Sequence, residues 1–101
     1  MVKHIVTFKL HGSDELRRKI AEDFKNALLA LPEKIECLQS MEVGINGNPA
    51  EDWDVVLVAV VPTMKDVQTY AKHPAHVAAA AILGPYKEAR ACVDYVVNDP
   101  V

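Results

Sequence analysis

Val55-Val56-Leu57-Val58-Ala59-Val60-Val61 is an apolar run with no polar residue inside it. Its length and its β-branched content suit a strand. Because no polar residue alternates with the apolar ones, both faces of that strand must be covered. Asn46-Gly47-Asn48-Pro49 is turn chemistry, which starts this strand near Trp53. Before the turn, Met41, Val43 and Ile45 alternate with Ser40, Glu42 and Gly44, the pattern of a preceding strand. After the run, Thr63 and Asp66 have the spacing of a capping pair and open a short helix through Val67 and Tyr70. His73-Pro74 interrupts it. Pro74 suits the first position of a new helix from Ala75 to about Leu83, which Gly84-Pro85 stops. Arg90 to Val97 reads as the last strand.

Toward the N-terminus, Val2 to Leu10 alternates. Val2, His4, Val6, Phe8 and Leu10 share one face, and Lys3, Ile5, Thr7 and Lys9 the other. His11-Gly12 breaks the strand, and Ser13 caps a helix with Asp14 and Glu15 in its first turn. Leu16, Ile20, Phe24, Ala27, Leu28 and Leu31 form its apolar stripe, and Pro32 ends it. The resulting order, strand, helix, strand, strand, helix, strand, is an α+β class, ferredoxin-like βαββαβ arrangement with a four-stranded antiparallel sheet. The first and third strands are central and the fourth lies beside the first. His4, Val6 and Phe8 are expected to face the helices. Ile5 and Thr7, with Val56, Val58 and Val60 or their alternates, then face the side that the helices leave bare. An apolar sheet face of that size on a small domain implies a homodimer packed sheet against sheet.

The 101 residues make a single domain, 1–101, of 50% hydrophobic and 25% charged residues. The net charge of -3 argues against nucleic acid as a partner. The apolar runs are about half the ~20 residues of a membrane span, so no membrane association is expected. Lys3, His4 and Lys9 interrupt the N-terminus, which is therefore not a signal-peptide core. Two widely separated cysteines, Cys37 and Cys92, suit free structural thiols in the cytoplasm. No phosphate-binding glycine loop, nucleophile elbow or paired-cysteine metal motif occurs, and no cofactor is expected.

The histidines are the most informative polar residues. His11 lies at a strand end and reads as solvated. His4 is either a core-edge residue with one satisfied hydrogen bond or a polar group pointing into a cavity between sheet and helices. Asp94 interrupts the fourth strand. It is either an edge charge that blunts aggregation or, beside the first strand, a carboxylate that orients the His4 ring. Tyr70, His73 and His76 recur three apart, but Pro74 breaks the helix between them. His76 near a helix N-terminus favours a neutral imidazole, as a general base requires; the plainer alternative is that His73 caps and His76 bonds a loop carbonyl. The same break spoils a regular metal-ligand pair, and no metal is expected.

Three stretches, Val2-Lys3-His4-Ile5-Val6, then Tyr70 shortly before His73-Pro74-Ala75-His76, and Val93-Asp94-Tyr95, resemble the dimeric α/β-barrel family, also called the stress-responsive A/B barrel or Dabb domain. The resemblance spans nearly the whole chain. It implies a ferredoxin-like protomer and a homodimer whose two sheets close into a barrel. Members include plant stress-induced proteins and a polyketide cyclase that performs a cofactor-free aldol closure. On resemblance, His76 matches that cyclase's base, Tyr70 its tyrosine, His4 a second pocket histidine and Asp94 a nearby carboxylate. Val55 stands where the cyclase carries a histidine, and Ala78 to Ala81 lack bulky aromatic residues, so the pocket carries over and the substrate does not. Two functions follow. One is a stress-responsive domain that binds a small apolar molecule. The other is a cofactor-independent enzyme in which His76 takes a proton alpha to a carbonyl and Tyr70 supports the enolate, with His4 and Asp94 positioning the substrate. In either, Val6, Phe8, Ile20, Phe24, Leu28 and His73 are the expected ligand contacts. A pocket of ~300 Å³ or more that reaches His76 favours the enzyme.

Overall fold

The structure, a computed structural model, describes residues 1–98. The strands are β1 (Val2–Leu10), β2 (Ser40–Ile45), β3 (Val55–Val61) and β4 (Lys87–Val96). The helices are α1 (Asp14–Leu29), α2 (Met64–Lys72) and α3 (Pro74–Leu83). The strands form one antiparallel sheet in the order β2-β3-β1-β4, with the helices on one face. This is the ferredoxin-like fold expected from the element order, with α2 and α3 as the two pieces of its second helix. No helix among the described residues is long and apolar enough to cross a membrane.

Local chemistry sets the element ends. Ser13 Oγ accepts from the Leu16 amide at 3.2 Å and starts α1. Thr63 and Asp66 form the full reciprocal capping box at the start of α2. Helix α1 stops at Leu29, short of Leu31, because Pro32 falls inside a 3-10 turn, Leu31–Glu33; Leu31 still reaches the core from that turn. Strand β3 begins at Val55 rather than Trp53. Asp54, just ahead of it, accepts from the Leu10 amide through one carboxylate oxygen and from Arg17 Nε through the other, tying β3 to β1 and α1. Strand β4 starts earlier than Arg90, at Lys87, with a bulge between Lys9 and Leu10 absorbing the register shift.

The alternation of β1 is realised in full. Val2, His4, Val6, Phe8 and Leu10 are buried toward the helices. They meet Val55, Leu57, Ala59 and Val61 of β3 and, from the helices, Ile20, Phe24, Leu28, Val67, Tyr70, Ala79 and Leu83. Phe8 and Phe24 pack edge to face with centroids 5.6 Å apart. Each such fully buried side chain contributes roughly 1.5–3 kcal/mol. The opposite face of the sheet carries Ile5, paired with Val58 and Val93, and Thr7, paired with Val56 and Ala91. This face stays uncovered within the protomer: Val93 is 62% exposed, Tyr95 41% and Val56 37%.

Candidate functional site

Antiparallel register places His4 directly opposite Asp94, Val6 opposite Cys92 and Phe8 opposite Arg90. All three β4 residues therefore share the helix-facing side with His4. Strand β4 is an edge strand, and between it, β1 and the helices a cavity of about 430 Å³ opens. Its walls are apolar at Val6, Phe8, Phe24, Leu57, Val67 and Leu83, and its polar groups are His4, His76, Gln68, Lys87, Arg90, Cys92 and Asp94.

His4 is only 6% exposed. Its Nδ1 lies 2.5 Å from Asp94 Oδ1. A carboxylate there accepts the Nδ1 proton and fixes the orientation of the ring. Cys92 Sγ sits at the same corner, 3.5 Å from Asp94 Oδ1 and 3.6 Å from His4 Nδ1. Burial, reinforced by the Asp94 charge, raises the Cys92 pKa, so the sulfur is held as a thiol.

The His73-Pro74 break places His76. His73 is extended, and its Nδ1 accepts from the Ala75 amide at 3.0 Å, capping α3. That amide is the one a continuous helix would donate to the Ala71 carbonyl. The carbonyl is instead taken by His76 Nδ1 at 2.9 Å. Since a carbonyl only accepts, Nδ1 carries the proton and Nε2 is the basic nitrogen. The His76 pKa is lowered, chiefly by burial. The Ala71 hydrogen bond acts the other way, and the charges of His4 and Arg90 add to the lowering. The helix N-terminus invoked from sequence is not the main cause.

Tyr70 is fully buried. Its ring lies 4.6 Å from the His76 ring and 5.8 Å, edge-on, from the His4 ring. Its hydroxyl has no hydrogen-bond partner among the described residues, and burial raises its pKa far above the ordinary range.

The structure thus brings together His4, Asp94, His76, Val6, Phe8 and Phe24 around one cavity, with Tyr70 packed against both imidazoles but not on the cavity wall. Three sequence candidates lie elsewhere. Ile20 and Leu28 are buried in the core, because on α1 it is Phe24 that reaches the cavity. His73 spends its ring nitrogen on the cap and positions His76 rather than lining the cavity. Arg90 and Cys92 were not anticipated at the site, although the pairing of Asp94 with His4 carries them there at two-residue spacing. A larger cleft, of about 640 Å³, lies at the other end of β1. Most of its charges neutralise one another in the pairs Arg17–Asp54, Arg17–Asp14, Lys9–Glu88 and His11–Glu88, and Glu51 on its wall has no ion-pair partner among the described residues.

Comparison with known proteins places this geometry in context. The sequence model described as "Stress responsive A/B Barrel Domain" (Dabb) matches residues 2–97. A dimeric protein of unknown function with a ferredoxin-like fold from Bacteroides fragilis NCTC 9343 is 48% identical, with a TM-score of 0.90 over 93% of each chain. A dimeric ferredoxin-like protein of unknown function from Thermobifida fusca is 29% identical, with a TM-score of 0.79 over 95% of this chain and 90% of the other. A Dabb family protein from Mesorhizobium loti is 27% identical, with a TM-score of 0.71 over 97% of each chain. No curated protein matches the sequence.

Proposed function

The chain belongs to the stress-responsive A/B barrel (Dabb) family, and we propose that it is a homodimer whose protomers each bind a small, largely apolar carbonyl compound in the cavity between sheet and helices. One observation carries the ligand reading. The cavity of about 430 Å³ combines apolar walls with two imidazoles oriented through Nδ1, His4 by Asp94 and His76 by the Ala71 carbonyl. The apolar floor suits the hydrocarbon part of such a ligand, and the N–H groups of Gln68 and Arg90 on the wall are the donors that suit its carbonyl oxygen. The dimer reading is supported by the bare face of Ile5, Val56, Val58 and Val93 and by the dimeric relatives. The free thiols Cys37 and Cys92 suit a reducing, cytoplasmic setting.

A second reading adds turnover, and the lowered pKa of His76 favours it. A neutral imidazole at pH 7 can take a proton alpha to the bound carbonyl through Nε2. The proton moves to Nε2, the electron pair of the C–H bond forms the enolate, and the imidazolium is steadied by the Ala71 carbonyl behind it. The Tyr70 hydroxyl, which has no partner of its own but does not line the cavity, is the donor proposed for the enolate oxygen, a role that requires the wall to open toward it. His4, held by Asp94, orients the ligand.

Both readings are tested with one probe. A small phenyl ketone is incubated with the protein in D2O. Binding is followed by saturation transfer, and loss of the alpha-proton signal by NMR. Binding with exchange at least about 100-fold above the His76→Ala variant supports turnover. Binding without His76-dependent exchange leaves the ligand reading and removes the catalytic one. The absence of binding by the phenyl ketone overturns both.

A further inference from the structure

The corner formed by His4, Cys92 and Asp94 contains three metal-ligating groups of different kinds from two neighbouring strands. We propose that these three side chains bind a borderline-soft divalent cation of the Zn²⁺ class, with one coordination position open to the cavity. The inference uses neither His76 nor a carbonyl ligand, but it shares His4 and Asp94 with the carbonyl reading and replaces their ligand-orienting role when the ion is bound.

The geometry is close to that of a cation site. With bonds of about 2.0–2.3 Å to nitrogen, oxygen and sulfur, a tetrahedral ion holds its donors roughly 3.2–3.7 Å apart. The Cys92 Sγ to His4 Nδ1 separation of 3.6 Å and the Cys92 Sγ to Asp94 Oδ1 separation of 3.5 Å already lie in that range. Only the third edge is short, because His4 Nδ1 and Asp94 Oδ1 share a proton at 2.5 Å. A cation replaces that proton, and the edge then opens by less than an ångström. The backbone supports such a site: His4 and Asp94 are directly opposed across the ladder, and Cys92 projects on the same face two residues from Asp94.

The balance is simple. His4 gives up its Nδ1 hydrogen as Nδ1 takes up the ion, and it binds as the neutral imidazole with its remaining hydrogen on Nε2. Cys92 loses its thiol proton to solvent and binds as thiolate. Asp94 binds as the carboxylate. A dication, a thiolate and a carboxylate sum to zero, which a half-buried corner tolerates better than a bare charge. A thiolate with an imidazole selects Zn²⁺ or Co²⁺ over Mg²⁺ and Ca²⁺, which want oxygen donors. Arg90 and Lys87, both exposed on the cavity wall, oppose binding by their charge, and Arg90, which reaches the Cys92 sulfur, must give way to the ion there. Because all three donors line the cavity, the open position faces the same space as the ligand.

Co²⁺ reports the donor set directly. Titration of the full chain with Co²⁺ should give visible bands of a tetrahedral ion and a near-ultraviolet thiolate-to-cobalt band, saturating at one ion per protomer and displaced by Zn²⁺. Cys92→Ser should abolish the thiolate band, Asp94→Asn should weaken affinity by at least about tenfold, and Cys37→Ser and His76→Ala should leave the band intact. X-ray absorption on the native chain loaded with Zn²⁺ needs no variant and should find one sulfur in the first shell. A titration without a thiolate band, a band that survives Cys92→Ser or is lost in Cys37→Ser, or a zinc shell of nitrogen and oxygen alone would overturn the proposal. Failure of ketone binding leaves all these readouts unchanged, so the two readings fall separately.

Discussion

Tyr70→Phe should make the protein more stable, and the reasoning is narrow enough to be refuted by one melting curve. The Tyr70 side chain is fully buried, and its hydroxyl meets no partner among the described residues. A buried hydroxyl without a hydrogen bond has given up its water for nothing, at a cost of about 1–3 kcal/mol. Phenylalanine keeps the ring and hence the packing against His76 at 4.6 Å and His4 at 5.8 Å. Removing only the oxygen should therefore stabilise the fold by about 1 kcal/mol, the lower end of that range, since the smaller side chain also loses a few dispersion contacts. For a domain of this size that is a rise in Tm of about 4–8 °C. The assay is urea and thermal unfolding followed by circular dichroism, at one protomer concentration because dimerisation makes Tm concentration-dependent. The urea midpoint should move up with an unchanged slope. A loss of 1 kcal/mol or more would mean that the hydroxyl is satisfied in solution, as by a buried water, and the reasoning would fail. If Tyr70 also supports an enolate, the same variant loses ketone exchange while gaining stability. That opposition is expected where a buried polar group is kept for chemistry rather than for folding.

Val58→Lys should yield a monomer in sedimentation, because it puts a charge at the middle of the bare sheet face. Glu42, directly across the ladder, can pair with the lysine, so the protomer itself stays folded. His73→Ala should cost about 1 kcal/mol through loss of the α3 cap. It should also blur the His76 tautomer in ¹⁵N spectra, since the freed Ala75 amide competes for the Ala71 carbonyl. Because burial lowers the His76 pKa in the folded state, the unfolded chain binds the extra proton below its own pKa near 6.5. The His76-linked stability is thus fully present above that pH and is lost as pH falls from there through the lower folded value; a wild-type melt that falls no faster on acidification than that of His76→Gln would contradict this.

The limits of the sequence reading follow from which physical terms are local. Alternation in Val2 to Leu10 is a backbone property with a period of two, so it assigned His4, Val6 and Phe8 to the helix side correctly, and the polar-free run in β3 announced that a second covered face was needed. Capping is likewise local, so Ser13, Thr63 and Asp66 were legible from spacing alone. What spacing could not supply was register and depth. The approach of Asp94 to His4 followed from strand order. The presence of Cys92 and Arg90 followed only from a ladder in which Val6 meets Cys92 and Phe8 meets Arg90. Ile20 and Leu28 belong to the same stripe as Phe24, and periodicity cannot tell which member of a stripe ends at a cavity rather than in the core. The His73-Pro74 break is the most instructive case. Read as an obstacle to a regular ligand pair, it suggested weak chemistry. In the fold, the break makes the Ala71 carbonyl available because His73 has taken the amide that would have used it, and that carbonyl fixes the His76 tautomer. A helix running unbroken from Met64 to Leu83 would satisfy its own backbone and leave His76 with neither nitrogen assigned; the interruption is what gives this imidazole a fixed tautomer and orientation.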